Sequence, residues 1–454
     1  MLNARCAAFA LLAACSEEKT ISVEISLGQE EGVLDDVETV RVRVISATGE
    51  GTAEENTISE VVTAPGASFD LGDLTTEDIV YFEVFGETAA GDEVVRGRSV
   101  TVPIGSVSSN VIPLFAQRLD GFSRPPGELV RAHVHAPAAV IDERFLVAFG
   151  GDSAATENGS VDPALGDFYD LLSLSGGESG GQLPRAARSL IARSSVVVLI
   201  DDEGATAVDR NDQASELTPP DDFAFSEVAG GRAIDASNGT TYVVGCTRPD
   251  IATDAVLTMS DTGSLAVVRL SVARAGCGAT FVDGLGLVLF GGSDEGKALE
   301  VIELGSSETR ALPYDTQSTT GAALVVTGEE IVLAIGGLKD GAPATPQYFD
   351  LRCSGDMCDE EPDTFAAATI AELAARGEAF QLTDGILVVG EDTEGETLAF
   401  RVAFPDGPVT PLAFRDRRFG ATAVPAPNGT LAVLGGLRPS GKPAVTVEMF
   451  FPAD

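Results

Sequence analysis

His133 and His135 are the only histidines in this chain of 454 residues, and they lie two positions apart in Arg-Ala-His-Val-His-Ala at 131–136. On a β-strand that spacing puts both imidazoles on one face, as a metal site would need. Two ligands do not complete a site, and no carboxylate partner can be assigned from the sequence. Structural or exposed histidines are the expectation, with no metal. Four cysteines lie in the body of the chain, Cys246, Cys277, Cys353 and Cys358. In an exported chain an even number reads as two disulfides. Zinc is the competitor, but the spacings fit no zinc pattern and the histidines lie far away. Acidic stretches at 201–204, 293–296 and 391–394 offer oxygen ligands for Ca²⁺. None has the spacing of a known calcium loop, so exposed turns are expected there. There is no nucleophilic serine elbow, no HExxH and no phosphate-binding loop before a helix. No catalytic residue and no cofactor are assigned.

The chain begins with one early cation, Arg5, an apolar run at 6–14, and acidic residues from Glu17. That order describes a secretory signal, too short to span a bilayer, which takes about 20 apolar residues. Leu-Ala-Ala-Cys at 12–15 resembles the lipobox of bacterial lipoproteins. The resemblance implies cleavage after residue 14 and lipidation of Cys15. Ser16, in place of Asp, implies outer-membrane sorting. Residues 15–20 would be a short tether.

Between 21 and 115, apolar and polar residues alternate with a period of two. Clear runs occur at 21–27, 40–45 and 80–85, with further strands at 100–104 and 111–114. Short strands separated by glycine-rich turns predict an antiparallel β-sandwich, immunoglobulin-like or transthyretin-like in pattern.

From 116 to 454 the chain repeats. Apolar runs end in glycine at 146–151, 242–245, 287–292, 332–337, 386–390 and 431–436, and a seventh at 196–200 lacks the glycines. Their aligned ends, 150, 200, 245, 291, 336, 390 and 435, are spaced by 45 to 54 residues. That period in an all-β chain predicts the blades of a propeller, seven of them. Asn-Gly at 238–239 and 428–429 and Asp-Gly at 283–284 and 384–385 read as hairpin turns in which both central residues take positive φ. A hairpin ending in Gly-Gly and followed by an aromatic strand resembles the kelch repeat. Kelch repeats usually carry a tryptophan in the fourth strand, and this chain has none. The segment 117–122 is placed to supply the missing outer strand of the last blade.

In this frame Cys246 ends the second strand of the third blade and Cys277 begins the fourth blade, on one propeller face, where a bridge would staple neighbouring blades. Cys353 and Cys358 would close a small loop. Kelch-type copper oxidases need a Tyr-Cys cofactor and two well-separated histidines, which this chain does not offer. Ser-Asp-Thr-Gly-Ser at 260–264 resembles the sialidase Asp-box without its aromatic, and a turn accounts for it better.

The chain holds 70 Asp and Glu against 29 Lys and Arg, a net charge of −41 and a pI near 4.2. Such acidity opposes binding to nucleic acid or anionic lipid and leaves membrane association to the acyl anchor. The expectation is a non-enzymatic, lipid-anchored protein of the cell envelope whose propeller is a binding or scaffold module for a protein or glycan. The alternative is a carbohydrate-active hydrolase or lyase using carboxylates at the channel mouth.

Overall fold

A computed structural model describes residues 18–19, 21–65, 74–108, 111–152, 164–306, 308–314, 316, 318–352, 362–403 and 407–453. Cys15, Cys353 and Cys358, with the expectations placed on them, lie outside these residues. The chain divides into two compact units, Leu34–Ala116 with the segment ending at Ser26, and Gln117–Asp454 with Leu27–Val33.

In the first unit one antiparallel sheet of seven strands dominates, in which Thr39–Ser46 pairs with the edge strand Thr57–Thr63 on one side and Ile79–Glu87 on the other. The period-two pattern sets its faces: Val40, Val42 and Val44 are buried, as are Val80, Phe82 and Val84. Where two facing sheets were expected, the described residues pair Glu18–Lys19 with Leu74–Thr75 as a separate two-residue ladder.

The second unit is a seven-bladed β-propeller, each blade a four-stranded antiparallel sheet. Blades 1 to 6 occupy 138–178, 189–216, 232–274, 278–311, 323–364 and 375–412. Blade 7 takes Thr422–Pro425, Leu431–Leu434 and Glu448–Phe450, and its outermost strand is Phe122–Ser123. The ring is thus closed by an early segment, with Phe122 opposite Phe450. Of the expected closing segment only residue 122 enters the strand. The residues before it anchor the join: Gln117, in the strand Val111–Arg118, donates its Nε2 to the Met449 carbonyl at 2.9 Å, and the Asp120 amide in the following turn donates to that of Phe451 at 2.9 Å.

Crowding between neighbouring blades falls on the glycine doublets. Gly150, Gly291, Gly336 and Gly435 all take positive φ, and so do the glycines that follow them. A Cβ on Gly150 would run into the Ala187 carbonyl, and one on Gly291 into that of Thr319, both on the segment leading into the next blade. The following amide bonds that same segment: Gly151 donates to Ala187 at 2.9 Å and Gly292 to Thr319 at 2.8 Å. Blade 3 breaks the doublet with Cys246, and there the link to blade 4 is the Cys246–Cys277 disulfide, Cα atoms 5.4 Å apart. By loop-closure entropy a bridge over 31 residues is worth about 3–4 kcal/mol.

Buried ion pairs form a second set of ties. Arg131 to Asp167 and Arg418 to Glu448 each join the segment leading into a blade to that blade's third strand, and Arg274 to Glu300 joins the end of blade 3's outer strand to the third strand of blade 4. All six side chains are almost wholly buried. Removing one partner from such a pair costs about 3–5 kcal/mol. The hairpin turns differ from expectation: Gly239 and Gly429 have φ of 80° and 82°, but their asparagines do not have positive φ. The Ala236 amide donates to Thr240, and that of Gly239 back to Ala236. The turn is therefore longer than two residues, and Asn238 accepts from the Thr240 amide instead of adopting positive φ.

Two glycines separate conformational strain from crowding. Gly284 has φ 78° with nothing within 4 Å of a new Cβ, so Gly284→Ala should cost about 1 kcal/mol. Gly291 has the same φ of 78° but faces Thr319, so Gly291→Ala should cost about 3 kcal/mol or more. Urea denaturation at a common m-value measures the difference, and equal losses would refute the crowding account.

Candidate functional site

The innermost strands of six blades, with Gly321 just before that of blade 5, line a channel cavity of about 510 Å³. Its wall is largely small and apolar, including Ala138, Ala192, Ala233, Ala279, Ala423 and Val424. Charged groups gather where the segments leading into the innermost strands meet the loops after the second strands. Both kinds of segment end on the same face of an antiparallel blade, which is why residues distant in sequence meet there.

A chain of contacts runs around this channel end. Arg188, just before the first strand of blade 2, lies 2.9 Å from Asp202 and 3.4 Å from Asp152. Asp152 accepts from His135 Nδ1 at 2.8 Å, and Glu391 accepts from His135 Nε2 at 2.9 Å. Arg376 Nε is 3.7 Å from the other oxygen of Glu391. Glu378, two residues further along blade 6, lies 3.9 Å from Arg232 of blade 3. Blades 3 and 6 stand on opposite sides of a seven-membered ring, so this last contact spans the channel.

Burial pushes the His135 imidazole down, but its hydrogen bonds to Asp152 and Glu391 outweigh that and lift it to about 8. At neutral pH it is therefore an imidazolium clamped between two carboxylates, with neither nitrogen free as a base. The hydrogen bond from His135 also holds the Asp152 carboxyl below the usual range, against the effect of burial. A raised carboxyl, needed by a general acid in the carbohydrate-active alternative, is the opposite of what Asp152 offers.

The paired histidines do not share a strand face. Both lie in the segment before blade 1 with positive φ, 51° at His133 and 47° at His135, and the conformation sends them apart. His133 is buried, its Nδ1 3.2 Å from the Gly150 carbonyl and its Nε2 3.3 Å from Asp167. Burial opposes the charge on Asp167, but His133 and the amides of Val130 and Arg131 bond it and hold its carboxyl low. His133 thus belongs to the first blade's buried tie, and His135 alone reaches the channel. Among the described residues no group of three or more His, Cys, Asp or Glu converges as a metal site.

The acidic loops act as turn caps. Asp201 Oδ1 accepts from the amides of Glu203 and Gly204, both at 2.9 Å, and Asp392 Oδ1 from those of Glu394 and Glu396. Ser260 likewise accepts from the Ser264 amide within a hairpin turn.

Arg188, Arg232, Arg376 and Glu378 carried no signal as isolated residues in the sequence. Glu391 did carry one: it follows Gly390, in the place where other blades have their second glycine. Arg376 has φ 50° and sits at a register shift between Ala375 and Glu378. A bulge of this kind re-aims a side chain.

The lifted pKa of His135 makes stability depend on pH. Its folded value of about 8 exceeds the ordinary 6.5, so the contribution is complete below 6.5 and lost as pH rises through 8. The expected loss is about 2 kcal/mol, set against Asp152, Glu391, Arg376 and Arg188 around the ring. Urea unfolding at pH values either side of this window should show it, and His135→Gln should flatten it; an equally steep fall in the variant would refute the assignment.

No protein-family model and no curated protein sequence matches the chain. Among solved structures it is similar to virginiamycin B lyase from Staphylococcus aureus, at 10% identity and a TM-score of 0.46, over 71% of this chain and 98% of that one. It is also similar to a streptogramin B lyase, at 11% identity and a TM-score of 0.40, over 71% of this chain and 95% of that one. A third similar structure is YjhT, at 13% identity and a TM-score of 0.36, over 72% and 95% of the two chains.

Proposed function

We propose that the chain is a lipid-anchored protein of the cell envelope, held at the outer membrane through Cys15, whose kelch-type propeller binds a protein or glycan partner at the charged channel end. One observation carries the binding face: His135, Arg188, Arg232, Arg376, Glu378 and Glu391 come from four separate parts of the ring and meet around one cavity. The glycine joints and buried ion pairs that hold the ring together do not use them. His135 and Arg376 moreover occupy backbone conformations that cost roughly 1–3 kcal/mol each, which clusters at working sites more than at purely structural ones. A binding role fits better than turnover, because both nitrogens of His135 are engaged and Asp152 is held ionised.

The anchor rests on the residues at 12–16 and on the acidity of the chain. At a net charge of −41 the protein gains nothing from anionic headgroups, so acyl chains must hold it.

Two measurements test these halves separately. Mass spectrometry of the mature N-terminus should find lipidated Cys15, and an unmodified N-terminus elsewhere would end the anchor. Capture from envelope extract should enrich a partner that is lost with a His135→Ala, Arg188→Ala double variant. The same partner should be retained with Asn238→Ala, at the opposite end of blade 3. Capture that ignores the double variant would move the binding face away from the channel.

A further inference from the structure

Two arginines of the channel end stand apart from the rest. Among the described residues, neither the Arg232 nor the Arg376 guanidinium makes a hydrogen bond; each only approaches a carboxylate, at 3.9 Å and 3.7 Å. Arg188 beside them is bonded to Asp202, and Arg248 nearby caps the carbonyls of Gly245, Ser226, Glu227 and Ala229. Arg232 and Arg376 keep 29% and 27% of their side chains exposed, and both line the cavity. Each carries five donors in a rigid fork that matches a carboxylate in bidentate fashion.

The carboxylates nearest these donors stand beyond hydrogen-bond distance of them. Glu391 is engaged by His135, which bonds it at 2.9 Å. Glu378 is a third unbonded group, 3.9 Å from Arg232, and it can accept from a ligand donor. An ammonium brought to Glu378 would stand beside the Arg232 guanidinium and be repelled, whereas a hydroxyl would not. Below these groups the wall is small and apolar, and about 510 Å³ is within the range of small-molecule sites.

Resting on the channel end as the binding face, we infer that Arg232 and Arg376 clamp the carboxylate of a small hydroxy acid, such as the uronic acid unit of a glycan, with Glu378 accepting from a neighbouring hydroxyl.

Calorimetric titration of the full chain with glucuronate, glucose and glucosamine tests this. Glucuronate should bind saturably and glucose should not. Arg232→Gln and Arg376→Gln should each weaken glucuronate by roughly tenfold or more, the size of one lost charge-assisted bond. If either variant melts early, Arg232→Lys and Arg376→Lys keep the charge but lose the fork, and should weaken binding as well. Absence of glucuronate binding, or binding untouched by any of these substitutions, overturns the inference. Glucosamine binding that disappears in Glu378→Gln overturns it too, because the site would then serve a cation. Partner capture that is lost in the His135, Arg188 variant while glucuronate fails to bind removes this ligand class and leaves the binding face standing. Glucuronate binding through both arginines with capture unaffected supports the clamp and removes the partner reading.

Discussion

Seven sheets set around an axis crowd one another at the end of the second strands, and in four of the blades the close approach leaves no room for a Cβ. Gly150, Gly291, Gly336 and Gly435 meet that requirement, and the amide that follows each reaches the neighbouring blade. Close packing at density like a crystal's leaves no slack for a methyl group at such a point. The joint has two parts, a steric one that admits the next blade and a hydrogen bond that fixes it. The buried pairs then add ties of their own: Arg418 with Glu448 holds the segment leading into blade 7 against that blade's third strand, and Arg274 with Glu300 joins the end of blade 3 to blade 4.

Where the joint is altered, the ring uses other means or frees a position for other work. Cys246 takes the second glycine's place in blade 3 and forms a covalent link to blade 4. Asp201 takes it in blade 2, where it caps its turn and meets Arg185 at 2.9 Å. Glu391 takes it in blade 6 and faces the channel. The candidate site is thus built partly from exceptions to the repeat, placed where the repeat brings all blades together.

This explains what could be read in advance. The doublets at 150, 291, 336 and 435 are visible in sequence because their physical demand allows one residue type, and so the blade period and the seven-fold count were legible. The Cys246–Cys277 bridge followed from the same frame, since antiparallel order alone places both on one face. The histidine pair was misplaced because spacing was taken to mean a strand; positive φ at both residues, which sequence rarely betrays outside glycine, sends one imidazole inward and one to the channel. The arginines of the channel end were invisible for another reason. An arginine on a strand opening looks the same whether it is buried against a carbonyl, as Arg274 is, or left with open donors, as Arg376 is. The difference lies in a bulge and in what the opposite blade presents, and both are tertiary facts.

Closure of the ring by Phe122–Ser123 has a consequence for how the molecule comes into being. Gln117 grips the carbonyl of Met449, 332 residues later in the chain. At a synthesis rate of roughly ten residues per second, the early segment waits on the order of half a minute before its partner exists. During that interval blades 1 to 6 can be complete while the ring is open at both flanks, with unpaired backbone that can pair with any neighbour. Closure of the ring is therefore gated by the arrival of Glu448–Phe450, and the early segment holds its place only once that strand has been made.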